Sequence, residues 1–443
     1  MKTTPLEIIL ETDLEAAVTA NPWLKTTDFK ATPHSFCLVP DANGEIKKVV
    51  VGGGKAIDLW TLGSLPQKLP QGDYALQGIY TSEQATTLAL GWALGRYQFS
   101  RYRKKPKTFP TLVMPANADA TLVESTQAAT FLARDLINTP ANDMMPADLS
   151  RVATSIAATF DASIAVHTDI EHAFPLVWAV GKGSENKPCV IDMHWGDAKN
   201  PKITLVGKGV CFDSGGLDIK PAGAMKLMKK DMGGAAIVLG LAQLIMAMRL
   251  PVRLRVIIPA VENSVSGSAF RPLDIIKSRK GLTVEIGDTD AEGRLILADA
   301  LDLAAEDKPA LVVDFATLTG AARVALGAEI PAVLSNTPAL AEKIVGLSQT
   351  QQDPLWQLPL YDGYRAQLDS KVADLNNVSS SGYGGAITAG LFLKEFVPES
   401  IRWVHIDCMA WNMSTQSGRP EGGEAMGLRT LFALLSQGEW QHG

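Results

Sequence analysis

Residues Ile203–Gly216 read ITLVGKGVCFDSGG, an apolar run, Ile203–Val206, that passes straight into a glycine-rich loop carrying Lys208 and Asp213. A strand covered on both faces requires such an unbroken apolar run. Working outward, the pattern recurs. Leu176–Val180, Cys189–Met193, Val252–Ala260, Leu311–Phe315 and Trp403–Ile406 are predicted as further buried strands, with helices at Thr121–Ile137, Gly233–Arg249 and Leu295–Glu306. Strands separated by helices make an α/β fold: a mixed, largely parallel sheet flanked by helices.

The first hundred or so residues read as a separate, smaller α/β domain. Ser35–Val39 and Lys48–Val51 are predicted strands, punctuated by Asp41–Gly44 and Gly52–Gly54, and Ser82–Gln98 is a predicted helix. The boundary is placed near residue 115, giving a small domain over 1–115 and a catalytic domain over 116–443. At 443 residues, with 46% hydrophobic and 20% charged, the chain can bury large cores. Forty-one basic residues against 47 acidic ones give a net charge of −6, which argues against nucleic acid as a partner. Arg101–Lys107 (RYRKKPK) is a dense basic run, read as a solvated linker.

Cys37, Cys189, Cys211 and Cys408 lie far apart with no CxxC pair, which suits a reducing compartment rather than a disulfide framework. The start, MKTTPLEIILETDLE, has neither a long apolar stretch nor a small-residue cleavage site. Met232–Met248 falls short of the roughly 20 residues a membrane span needs, carries Gln243, and is read as a buried core helix. A cytoplasmic protein with no membrane partner is expected.

The six histidines, His34, His167, His172, His194, His405 and His442, have no metal-ligand spacing and are read as structural. No GxSxG elbow or GxxxxGK[ST] loop occurs. Instead, charged residues follow apolar strands, where open α/β sheets gather ligands. After Asp213 come Lys220 and then Asp231, placed just before a helix. A second segment, Leu282–Arg294, carries Asp290, Glu292 and Arg294 from a short strand toward another helix. Four carboxylates drawn together repel one another unless cations hold them, so convergence of the two loops implies divalent metal ions. Asp290 and Glu292 are two apart, and an extended segment would point both the same way. Carboxylates can bridge two ions about 3.5–4 Å apart, as in two-metal hydrolases, and Lys208, Lys220 and Arg294 bring charge suited to stabilising an oxyanion. Each acid also has an ordinary structural role: Asp213 as a turn cap, Asp231 as a helix N-cap, Asp288 and Asp290 as turn acids. Composition and spacing leave both readings open.

At these residues the sequence resembles the leucyl aminopeptidase (cytosol aminopeptidase, peptidase M17) family. Asp288-Thr-Asp-Ala-Glu-Gly-Arg-Leu295 stands in place of the family hallmark Asn-Thr-Asp-Ala-Glu-Gly-Arg-Leu. Gly207–Gly216 looks like its other metal-binding segment. Arg134–Asn142, Glu262-Asn263, Ala316–Gly320 and Gly385–Gly390 match further, and the resemblance spans about residues 125–435. The amino-terminal unit offers no match.

The resemblance implies a metal-dependent aminopeptidase that releases amino-terminal residues from peptides. Lys208, Asp213, Asp231, Asp290 and Glu292 would ligate two divalent metal ions (Mn or Zn, or Mg), with Lys208 neutral. Lys220 and Arg294 would be the catalytic pair, the arginine holding a bicarbonate that serves as general base and the lysine stabilising the oxyanion. Met228, Thr317 and Gly320 would line a substrate pocket favouring leucine and other apolar residues. A homohexamer of two trimers, carboxy-terminal domains innermost, is implied as well. The alternative on the same scaffold is a DNA-binding regulatory or recombination accessory protein. A phosphoesterase is disfavoured by the neutral-lysine ligand and the lack of histidines.

Overall fold

The computed structural model describes residues 3–441, so His442 lies outside the described residues. The chain divides into two compact units, Met1–Phe131 with Met413–Glu421, and Leu132–Asn412 with Gly422–Gly443. The first is built on a five-stranded sheet of β1 (Thr4–Ile9), β2 (Phe36–Pro40), β3 (Ile46–Gly52), β4 (Asp73–Gln77) and β5 (Thr111–Leu112), in the order β2-β3-β1-β4-β5. All its pairings are parallel except β2 with β3. Leu6, Val49, Val51, Tyr74, Leu88 and Trp92 form part of its core. Arg101–Lys107 is exposed along its length.

The strands of the second unit are, in chain order, β6 (Ser163–His167), β7 (Cys189–Trp195), β8 (Lys202–Gly207), β9 (Gly209–Asp213), β10 (Arg253–Asn263), β11 (Ile275–Lys277), β12 (Thr283–Glu285), β13 (Leu311–Ala316), β14 (Ala332–Ser335), β15 (Trp356–Gln357), β16 (Leu375–Asn376), β17 (Arg402–Asp407) and the short antiparallel pair β18 (Trp411–Asn412) and β19 (Gly422–Gly423). Nine of them make one sheet in the order β15-β14-β17-β13-β8-β10-β7-β6, with β9 paired to β10. The centre of this sheet, from β17 to β10, is parallel, and antiparallel pairs lie toward each side. The sheet is thus mixed and largely parallel in its middle. The helix Gly233–Ala247 is buried along almost its whole length, so its apolar surface is covered within this unit.

One predicted strand is a helix. Leu176–Val180 lies in the helix Pro175–Gly181, with proline in its first turn. The Asp299 carboxylate, from the helix Glu292–Glu306, accepts the free amides of Leu176 (2.8 Å) and Val177 (3.4 Å). Five consecutive apolar residues, all buried but the half-buried Trp178, carry no period that separates helix from strand. The cap lies more than a hundred residues away, beyond the reach of local pattern.

Two polar pairs are enclosed in this core. On adjacent parallel strands, Asp314 accepts from Trp403 Nε1 (2.7 Å) and faces His405 Nδ1 (2.6 Å), which gives His405 the structural role expected of it. Arg134 meets Glu424 through two hydrogen bonds of 3.1 and 2.9 Å, both side chains almost wholly buried. Burial pushes the Glu424 carboxyl up, but the Arg134 charge and hydrogen bonds outweigh it and hold the pKa below its ordinary value. All four cysteines are buried and free.

Candidate active site

The site forms where one strand parts from its neighbour. β8 pairs with β13 as far as Gly207, and the Lys208 amide then donates to the Phe315 carbonyl (3.0 Å). Beyond it the chain continues as β9 along β10. The Lys208 carbonyl meanwhile accepts the Ala235 amide (2.9 Å) at the start of a helix. Lys208 is therefore fixed at the crevice, and its buried Nζ lies 2.7 Å from Asp231 Oδ2, 2.9 Å from Glu292 Oε1 and 3.1 Å from the Thr317 carbonyl. The hallmark glycine beside Glu292 has a steric reason. A Cβ on Gly293 would stand 2.6 Å from Lys208 Cε and 2.7 Å from its Nζ.

Asp213 ends β9. Its Oδ1 accepts from the Gly215 amide and from Asn263 Nδ2, both at 2.9 Å, while its Oδ2 lies 2.8 Å from Lys220 Nζ. Gly215 and Gly216 have φ of +88° and +68°, the left-handed region that side chains rarely adopt. The turn they make lets the Lys220 amide reach back to the Ser214 carbonyl (3.0 Å). The two distant loops are joined by Thr289, whose hydroxyl donates to the Gly215 carbonyl (2.6 Å) and accepts the Asp218 amide (2.9 Å). Asp218 in turn accepts the Thr289 amide (2.8 Å).

Asp290 then pairs with Lys220. Glu292 opens the helix Glu292–Glu306, where an acid complements the positive end of the helix dipole. The expected extended segment from Asp290 to Arg294 is therefore a turn followed by a helix. Asp231 lies in the 3₁₀ turn Met228–Met232 and does not cap the following helix. Its Oδ1 accepts from Thr317 Oγ1 (2.7 Å).

Asp213, Asp231 and Glu292 thus each offer an oxygen within 4.8 Å of the others. Asp290 joins them through Lys220, which bridges it to Asp213. Arg294 is buried and donates to the Asn377 carbonyl (2.7 Å), near enough to Glu292 for the two charges to act on each other. Burial pulls its pKa down to about 10 although Glu292, Asp407 and Asp288 act the other way. Met228 is buried in the turn before Asp231, whereas Gly320 is exposed at the start of the helix Gly320–Leu326.

Electrostatics test whether this donor set suits cations. Burial and the Asp213 charge raise the Glu292 pKa against the pull of Lys208, and the same two causes raise Asp290 to about 6. Asp231 is lowered, because Lys208, Lys230 and its hydrogen bonds outweigh burial. Only Lys208 and Lys220 pair directly with the four carboxylates, while Lys230 acts on Asp231 and Arg294 on Glu292 from further off. Glu292 Oε2 is buried with no hydrogen-bond partner. An unpartnered acceptor in a crowded acidic cluster fits divalent cations. Burial disfavours the charged forms of Lys208 and Lys220, but the surrounding carboxylates outweigh it and raise both. The neutral Lys208 that a ligand role requires is thus the reverse of its state beside metal-free carboxylates. Metal ions compete with protons for such groups, so binding and deprotonation go together.

Asp288 takes the ordinary role allowed for it, its Oδ1 accepting the Asp290 amide (2.7 Å). Asparagine offers the same oxygen. Asp288→Asn is expected to keep peptidase activity within about two- to threefold, as for a swap worth about 0.5 kcal/mol, and complete loss would contradict this role. Thr289, the joining residue, and Asn377, which binds both the Gly287 amide (2.7 Å) and Arg294, were not singled out from sequence. Thr289 stands between two named residues of the hallmark. Asn377 carries no local signal.

A parallel sheet whose carboxyl edge gathers charged groups on strand-to-helix loops is the arrangement of an α/β enzyme. The chain matches the catalytic domain of the cytosol aminopeptidase family over residues 131–432 and the M17 aminopeptidase N-terminal domain over residues 4–115. It belongs to the cytosol aminopeptidase (M17) family, and is an aminopeptidase acting on peptides. The amino-terminal match corrects the expectation that this unit has none. A probable cytosol aminopeptidase of Syntrophotalea carbinolica is 41% identical over 381 residues, 81% of this chain and 76% of that one. The crystal structure of the Coxiella burnetii cytosol aminopeptidase superposes with a TM-score of 0.94 at 44% identity, covering 98% of this chain and 97% of the other. The bottromycin maturation enzyme BotP in complex with Mn gives 0.90 at 32% identity, covering 98% and 99%.

Proposed function

We propose that this aminopeptidase is metal-dependent, that it holds two divalent ions, manganese or zinc or magnesium, and that it prefers leucine and other apolar amino-terminal residues. The buried trio Asp213, Asp231 and Glu292, with its unpartnered Glu292 oxygen, carries the reading. The manganese complex of BotP supports it. Lys208, Asp213, Asp231, Asp290 and Glu292 would hold the ions. Divalent ions so held supply Lewis acidity and a nucleophilic water at neutral pH.

The chain's own groups do the rest. Lys220 Nζ, placed between Asp213 and Asp290, is the donor for the oxyanion that develops when the scissile carbonyl is attacked. Arg294, fixed by the Asn377 carbonyl, is the cation suited to hold bicarbonate as general base. Met228, Thr317 and Gly320 border the side-chain pocket, whose apolar part favours leucine and methionine. The reading extends to a cytoplasmic location, in keeping with the names of the relatives, and to the homohexamer that the family resemblance implies. Nothing in the comparisons favours the DNA-binding alternative.

Chelated protein is expected to lose cleavage of leucyl anilide and to regain it with added manganese, zinc or magnesium, while N-acetylated leucyl anilide stays intact throughout. Full activity in the chelated protein would overturn metal dependence. Cleavage of the blocked substrate would overturn the amino-terminal requirement.

A further inference from the structure

Asp407 ends β17 at the carboxyl edge of the sheet, one strand away from the cluster, and is buried at 2% exposure. Its carboxylate takes its hydrogen bonds from a single loop. Oδ1 accepts the amides of Leu318 (2.9 Å) and Thr319 (3.1 Å), and Oδ2 accepts from Thr319 Oγ1 (2.6 Å). Thr319 Oγ1 also accepts the Ala322 amide (3.0 Å) and so caps the helix Gly320–Leu326. At its other end the same loop is tied to the carboxylate centre, through Thr317 Oγ1 to Asp231 and Lys208 Nζ to the Thr317 carbonyl.

We propose that Asp407 is a positioning residue that sets the enzyme's side-chain preference by fixing the loop Thr317–Gly320 against the carboxylate centre. This rests on the aminopeptidase reading, in which Thr317 and Gly320 border the pocket for the amino-terminal side chain. A bivalent acceptor clamps two successive amides and a hydroxyl, so the loop has one arrangement while the carboxylate is present. Without it, the stretch from Leu318 to Gly320 loses its tie to the sheet and can shift, while the helix behind it stays packed through Ala322 against Ala386. Such a shift penalises a substrate in proportion to the side chain it places in the pocket. Leucine suffers more than alanine. A residue that merely supports the fold would instead lower activity on every substrate alike.

The test measures kcat and KM for leucine and alanine p-nitroanilides on manganese-loaded enzyme, for wild type, Asp407→Ala, Asp407→Asn and Thr319→Val. Asp407→Ala is expected to lose about 100-fold in kcat/KM on leucine and no more than about 10-fold on alanine, the difference appearing largely in KM. Asp407→Asn retains the oxygen that accepts both amides and should recover most of the leucine-to-alanine ratio. Thr319→Val removes the partner of the other oxygen and should lower that ratio on its own, which carries the test should Asp407→Ala fail to fold. An unchanged ratio in all folded variants, with wild type active on both substrates, overturns the inference alone. A wild type that cleaves neither overturns the aminopeptidase reading and this inference with it.

Discussion

Glu292→Gln is expected to lower kcat on leucyl substrates by about 1,000-fold while leaving the thermal midpoint unchanged or slightly raised. The side chain is 2% exposed, with one oxygen on Lys208 and the other without a partner. Burial and Asp213 already press this carboxyl toward its protonated form, so a neutral amide of the same shape removes repulsion from the metal-free fold. The same change removes a charge that the cations need, and it leaves Lys208 paired with Asp231 alone among its two ion-pair partners. Loss of activity without loss of stability is therefore the signature. Metal content by plasma mass spectrometry should fall in parallel. A variant that kept both its metal and its turnover would remove Glu292 from the site.

Arg134→Met should cost about 3–5 kcal/mol of unfolding free energy at pH 7, read from denaturant titration. It leaves the Glu424 carboxylate buried, with Asn412 Nδ2 (2.8 Å) and the Ala425 amide (2.9 Å) as its remaining hydrogen-bond donors. The pH dependence follows from the lowered Glu424 pKa. A carboxyl depressed in the folded state stabilises above its unfolded value, about 4.3, and loses that contribution as pH falls through the folded value. The gap between variant and wild type should therefore narrow as the solution is acidified through the carboxylate range. Glu424→Gln added to Arg134→Met should recover part of the loss, because no buried charge is then left unpaired. A cost below about 1 kcal/mol would mean that the pair contributes no more than a surface ion pair.

What the sequence disclosed follows the range of each interaction. Cys189–Met193, Ile203–Val206 and Leu311–Phe315 are legible because strands buried on both faces are nearly continuous apolar runs, each here broken by one polar residue, Asp192, Thr204 and Asp314. The helix Gly233–Ala247 is legible by its length between Asp231 and Arg249. Leu176–Val180 is not, because its state is decided by Asp299, 123 residues further along the chain. The candidate ligands could be named because strand ends with polar residues mark a ligand edge, and the family motif then ranks them. Their convergence depends on Thr289 and Asp218, a contact between loops 71 residues apart that no local pattern encodes. Asp407 follows an apolar strand just as Asp213 does. The rule that found one acid would have found the other had it been applied to Trp403–Ile406.

Anomalous X-ray scattering from crystals equilibrated with manganese tests the centre of this account most directly. Two peaks are predicted within coordinating reach of Asp213, Asp231, Asp290 and Glu292, with Lys208 adjoining them. Crystals showing no peak among those side chains, yet cleaving leucyl substrate at full rate when redissolved in chelator, would contradict it.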